Sequence, residues 1–225
     1  MKNLLFISFI LILASACSNN NKTSINEHNQ TEEQENSKMT DTLDQLFAIE
    51  SEAELIEIYG EENVRFDTVY GGEGEMSMAT LLFPESNDQL EILWGDMKKR
   101  ENMINITHYA YYDMEEDILS TESRWKTSYG IVIGTTMMEL EALNEAPITF
   151  MGFGWDYGGM VSDLNDGKLY DSPLMLQLGM VDFNDLYGNA DYEALVGDAE
   201  FSSENEAAQN LNPVVILLSI SKERY

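Results

Sequence analysis

The chain has 225 residues, with 41 acidic side chains against 12 basic ones, a formal net charge of −29, two histidines and one cysteine. A field of that sign repels nucleic-acid phosphates and anionic lipid surfaces, so neither is expected as a partner. It fits a basic partner, a cationic ligand, or solubility alone.

Residues 1–16 read MKNLLFISFILILASA: one basic residue, Lys2, an apolar core from Leu4 to Leu13, then small residues. This is a secretory signal, too short and wrongly flanked to span a bilayer. With Ala14-Ser15-Ala16 directly before the sole cysteine, Cys17, it resembles a bacterial lipoprotein signal, although Ala14 stands where such signals usually carry Leu. The resemblance implies cleavage before Cys17 and a diacylglycerol on its sulphur, held in the membrane by about 0.8 kcal/mol per buried methylene. An ordinary signal peptide with an incidental thiol is the alternative. Cleavage removes Lys2 and no acid, leaving 11 basic and 41 acidic residues and a charge of −30. Ser18 after the cysteine is similar to the sorting signals of outer-membrane lipoproteins, so the expected location is the cell envelope, lipid-anchored, at the outer membrane facing the periplasm or the surface. No second apolar stretch approaches the roughly 20 residues of a membrane span.

Residues 17–43 hold almost no apolar side chains and no aromatic one before Phe47. Such a stretch cannot offset its ordering entropy, and reads as a disordered acidic tether in which His28 is solvated. A single domain is expected over 44–225, long enough for one well-buried core. Ser51 and Glu54 stand at capping-box spacing before Leu55 and Ile58, which predicts a short helix ending at Gly60. Val64–Tyr70, a turn at Gly71–Gly74 and Met76–Phe83 read as a hairpin, and Gln89–Trp94 with Met103–Tyr109 as a second pair. Tyr109–Thr127 reads as the end of one sheet and the start of the next.

Gly130–Gly134 is a short apolar run that reads as a strand. Thr136 and Glu139 repeat the capping-box spacing, so a helix starts near Met137, buries Met137, Leu140 and Leu143, takes Asn144 as its left-handed cap and stops before Pro147. Ile148–Tyr157 reads as a bent strand in which Gly152 and Gly154 let another backbone approach. Gly158-Gly159 turns the chain, Met160–Leu164 returns, and Asn165-Asp166-Gly167 predicts a hairpin turn with positive φ. Pro173–Phe183 is a further strand, 191–196 and 203–210 are short helical or turn segments, the latter with Ser203 and Glu206 at capping spacing, and Val214–Ile220 is a buried central strand. The fold class is α+β: short capped helices packed on antiparallel β-meanders. Helix-then-meander occurs twice, which suggests repeats over 44–112 and 128–183, with coincidence as the alternative.

Chemistry is sparse. His108 is the domain's one histidine, so nucleophilic catalysis through an imidazole would have to use it. It alternates with Ile104 and Ile106, which places it on an apolar strand face with a local partner. One histidine gives no zinc site, Asp163–Gly167 misses the order of a calcium loop, and no metal or cofactor is expected. Paired carboxylates arise by chance among so many acids. The candidate binding surface is aromatic: Phe153, Trp155 and Tyr157 alternate onto one face and Asp156 onto the other. They form either a stacking patch for a glycan or protein partner, or the core face of the strand with Asp156 turned to solvent.

The pattern G-x-T-x-x-E-L-x-x-L-x-x-x-P from Gly134 to Pro147 resembles small outer-membrane assembly lipoproteins of the BamE type. The helix-plus-meander order is similar to β-lactamase-inhibitory proteins, and the whole domain, with FGWDYGG at 153–159, resembles uncharacterised Bacteroidetes lipoproteins. These resemblances imply a binding or inhibitory surface on a curved sheet, with no catalytic residues to carry over. The expected function is a non-catalytic, membrane-anchored envelope lipoprotein that binds a protein or envelope component. The alternatives are an inhibitor or immunity-type protein and a carboxylate-based hydrolase. A cleft lined by carboxyls of raised pKa speaks for an enzyme, a broad face of exposed aromatics for a binder.

Overall fold

The computed structural model describes residues 39–223 apart from Glu115, Asn184, Asp185 and Tyr187. The signal segment, Cys17, His28 and the tether as far as Lys38 lie outside the described residues. Among the described residues no helix is long and apolar enough to cross a membrane. In chain order the elements are α1 (Leu43–Leu46), α2 (Glu52–Tyr59), β1 (Val64–Tyr70), β2 (Met76–Leu82), β3 (Leu90–Asp96), β4 (Glu101–Tyr109), β5 (Tyr111–Asp113), β6 (Ile118–Ser120), α3 (Met137–Asn144), β7 (Thr149–Met151), β8 (Val161–Asp163), β9 (Leu174–Gly179), α4 (Ala190–Glu193), β10 (Glu200–Ser202), α5 (Glu206–Leu211) and β11 (Val214–Ser221).

The fold is α+β. Its body is a six-stranded antiparallel sheet in the order β1-β2-β3-β4-β11-β9, joined by a three-stranded sheet, β10-β7-β8, and the β5-β6 pair. β11 lies between β4 and β9, so the terminal apolar run is central to the sheet. Alternation with period two gives the large sheet two faces. On the inner face Leu82, Leu90, Ile92, Trp94, Ile106 and Leu218 pack with Leu43 and Leu46 of α1, Leu55 of α2 and Leu140 of α3 in one core. Glu52, buried in the first turn of α2, accepts from Thr80 Oγ1 at 2.6 Å and lies 2.5 Å from Arg100 Nε, while Trp94 Nε1 donates to Thr80 at 2.8 Å. A carboxylate taken out of water needs such partners, and here they pin α2 to the sheet.

The caps follow the sequence in part. Thr136 and Glu139 form a complete capping box on α3. At α2, Ser51 Oγ accepts from Glu54 N at 3.2 Å, but the Glu54 carboxylate reaches back to Glu50 N instead of Ser51 N. The left-handed residue after α3 is Glu145, with φ 59°, and not Asn144. Asn144 is buried and spends its amide on the carbonyls of Ala146 and Leu164 and on Leu169 N, tying two loops together. Asn205, not Ser203, caps α5, while Ser203 Oγ accepts from Ile148 N at 3.0 Å.

Two expected strands and one expected hairpin are corrected. Gly130–Gly134 is a loop: Ile131 and Ile133 are buried, but Thr127 Oγ1 accepts from Ile131 N at 3.1 Å and Thr135 Oγ1 from Val132 N at 2.9 Å, so hydroxyls do the work of a strand partner. Ile148–Tyr157 is a strand only over Thr149–Met151, and residues 154–159 form turns. Gly152 does admit another backbone, since a Cβ there would lie 2.4 Å from the Gly197 carbonyl oxygen. Asn165 and Asp166 have the expected positive φ, 49° and 56°, but the chain continues into further turns over 168–171 instead of a return strand. Asn165 Nδ2 is drawn to Pro147 O and Thr149 Oγ1, both at 3.1 Å, which turns the segment away from a hairpin.

Candidate functional site

The outer face of the large sheet carries the polar half of the same alternation. Register places Leu81, Glu91, Thr107, Ser219 and Met175 side by side across β2, β3, β4, β11 and β9. Leu93, Asn105 and Ser221 form the next row. Asn105 Nδ2 donates to Ser219 Oγ at 3.0 Å and to Ser221 Oγ at 3.1 Å, and Thr107 Oγ1 lies 2.9 Å from Ser219 Oγ and donates to Asn105 Oδ1 at 3.0 Å. The floor is therefore a hydrogen-bonded bed of hydroxyls and one amide, fixed on rigid strands.

Two walls turn this face into a pocket of about 650 Å³. One is the β1–β2 hairpin, with Tyr70 and Glu75 at its turn, and the other is β8 and the chain after it, with Asp163 and Tyr170. The walls meet at one end: Asp156 Oδ2 accepts from Glu73 N at 3.1 Å, and the Tyr157 ring lies against Gly72. Beyond that contact, Met160 bridges to Gln177 on β9, so the two edges of the large sheet are joined through the hairpin tip. Gly159 makes this closure sterically feasible. Its φ is +79°, and a Cβ there would come within 1.8 Å of the Leu178 carbonyl oxygen.

Glu75, Glu91 and Asp163 line the pocket, and among the described residues no Lys or Arg does. Burial pushes the Glu91 carboxyl up to about 7. Burial, and then the neighbouring Glu91 charge, pushes the Tyr109 hydroxyl up to about 12. Among the described residues Glu91 has no hydrogen bond or ion pair. Arg65, in the same transverse row as Glu91, is held by Glu85 at 2.9 Å and Asp67 at 3.2 Å.

The aromatic candidates separate. Phe153 is 5% exposed, stacked on Tyr192 and tilted against Phe150, and belongs to the core. Trp155 and Tyr157 are partly exposed and meet edge to face with centroids 5.4 Å apart. The expected single face fails because residues 154–159 turn, and the Trp155 indole donates back to Gly152 O at 2.8 Å. Asp156 is tied to the hairpin tip. The Tyr157 hydroxyl is held above its usual range, chiefly by the charge of Glu73, with burial, Glu75 and Asp156 adding to it.

His108 is fully buried on the inner face beside Ile106. Ile104 is exposed because the β3–β4 register shifts between Leu93 and Trp94. The His108 Nδ1 is 2.8 Å from Gln89 O and its Nε2 2.7 Å from Ser123 Oγ. A carbonyl only accepts, so Nδ1 carries the proton and Ser123 donates to Nε2. Burial holds the imidazole below its ordinary pKa, and neither residue lines the pocket. Asp163 Oδ1 accepts from Asn165 N at 2.7 Å, a local turn bond. Among the described residues no three His, Cys, Asp or Glu side chains converge to hold a metal ion.

Comparison with protein-family models, curated proteins and solved structures found no match to this chain. The pocket was missed in the sequence. Its signal was present in Asn105 and Thr107 alternating with Ile106 and His108, and in Ser219 and Ser221 alternating with Leu218 and Ile220.

Proposed function

We propose that this chain is a lipid-anchored envelope protein whose domain binds a small polar ligand in the pocket over the outer face of the six-stranded sheet, without converting it. One observation carries the reading: a sheet face that alternation alone would leave to water is walled into about 650 Å³. That is the size of small-molecule sites, and its polar groups sit on strands instead of mobile loops. The pattern of residues 1–17 supports anchoring through Cys17, and the acidic stretch after it supports a tether. The test uses the mature chain purified with its lipid in detergent micelles, heated against a panel of amines, amino acids and sugars. At least one class is expected to raise Tm saturably, and Ser219→Tyr or Thr107→Phe, which fill the floor, to abolish the rise. No rise across the panel, or one that survives both variants, contradicts the reading.

A second reading, a carboxylate-based hydrolase with Glu91 as general acid, is favoured by the raised pKa of that group. It ranks lower because no neighbouring side chain orients Glu91 among the described residues, and the floor hydroxyls bond to one another and to Asn105, with no base to activate them.

A further inference from the structure

The pocket's charge narrows what it can hold. Among the described residues it is lined by three carboxyl side chains and no cation, in a strongly acidic chain, so an anionic ligand would meet repulsion there. Glu91 lies mid-floor without a hydrogen-bond or ion-pair partner among the described residues. The cation of its own row, Arg65, stands two strands away across Leu81 and is occupied by Asp67 and Glu85. A carboxylate left unpartnered in a partly enclosed site is stabilised most by a charge brought in with the ligand.

We infer that the pocket takes a small organic cation bearing hydroxyl or amide groups, with its positive centre on the Glu91 carboxylate and its polar groups on Thr107, Ser219 and Asn105. The inference rests on the binding reading above. Tyr70 and Tyr170 line the walls of the same pocket, and a tyrosine ring can attract a cation. Tyr109 of β4 neighbours Glu91, and the other titratable groups lining the same pocket are Glu75 and Tyr70 from the β1–β2 hairpin and Asp163 and Tyr170 from the opposite wall. None of them supplies a positive charge. A bound cation favours the ionised carboxylate, so below pH 7 binding expels a proton from Glu91 and affinity rises from pH 5 to pH 8.

The experiment titrates the mature lipidated chain in micelles, by calorimetry at pH 8, with two matched pairs: choline and 3,3-dimethylbutan-1-ol, and Nα-acetylarginine amide and Nα-acetylcitrulline amide. At least one cation is expected to bind ten-fold or more tighter than its neutral counterpart. Choline has no titrating group, so a binding increase toward pH 8 in its case reports on the protein. Glu91→Gln, which keeps shape and is checked for an unchanged circular dichroism spectrum, is expected to erase the preference. Neutral members binding as well as the cations, or a preference that survives Glu91→Gln, overturns the inference while the pocket reading stands. No binding by any member counts against both.

Discussion

Replacing Glu91 with Gln is expected to make the domain more stable than the wild type at pH 8 and equally stable at pH 4. Burial raises the carboxyl from its usual 4.5 to about 7 in the folded chain. Between those values the folded state holds a proton that the unfolded state has released, so wild-type stability falls as pH rises through that window and levels off above it. At 1.36 kcal/mol for each pH unit the ceiling is about 3.4 kcal/mol. Glu91 is only partly buried, and solvent screening reduces the expected difference to about 1–2 kcal/mol. The glutamine is neutral in both states and removes the term while leaving the rest of the strongly acidic chain unchanged. The comparison is therefore variant against wild type in urea at pH 4, 6 and 8, with the gap opening between pH 4.5 and 7. A gap that is constant with pH, or that closes as pH rises, refutes the reasoning about this site.

Other outcomes follow from the same geometry. Thr136→Ala removes the hydroxyl that accepts from Glu139 N and is expected to cost about 1 kcal/mol in urea unfolding, with Thr136→Ser restoring most of it. Glu73→Gln takes away the largest charge acting on Tyr157, so the ring's pKa, followed by NMR, is expected to fall toward 10. An unchanged titration means that the hairpin tip is not where the contact with Asp156 puts it. Cys17→Ser is expected to abolish incorporation of radiolabelled fatty acid and to release the protein from the membrane fraction. A variant that fractionates like the wild type removes the anchor from the account.

Local rules explain why much of the fold was legible. The capping box of Thr136 and Glu139 is decided within four residues, and β3 alternates strongly enough to fix Leu90, Ile92 and Trp94 as inward-facing. β11 was legible as a buried strand because residues 214–218 leave it no solvent side. The failures share a cause, which is that tertiary partners outvote local pattern. Ile131 and Ile133 are as apolar as a strand demands, yet threonine hydroxyls take the backbone N–H groups of Ile131 and Val132. FGWDYGG alternates like a strand, but Gly152 and Gly159 serve close backbone approaches that force turns between them. The pocket's polar floor was visible in the alternation, but its enclosure was not. A polar strand face means open solvent in most antiparallel sheets, and contacts distant in sequence, such as that of Glu73 with Asp156, 83 positions away, enclose this one.

The central claim is that the enclosed outer face, and not the exposed aromatic turn, is where this domain meets its ligand. The most direct measurement is an amide-resolved NMR titration of the mature chain with the tightest member of the amine and sugar panels. The account predicts saturable shifts at Glu91, Thr107, Ser219 and the 71–75 turn. Shifts confined to Trp155 and its neighbours, with the strands of the floor unmoved, would contradict it.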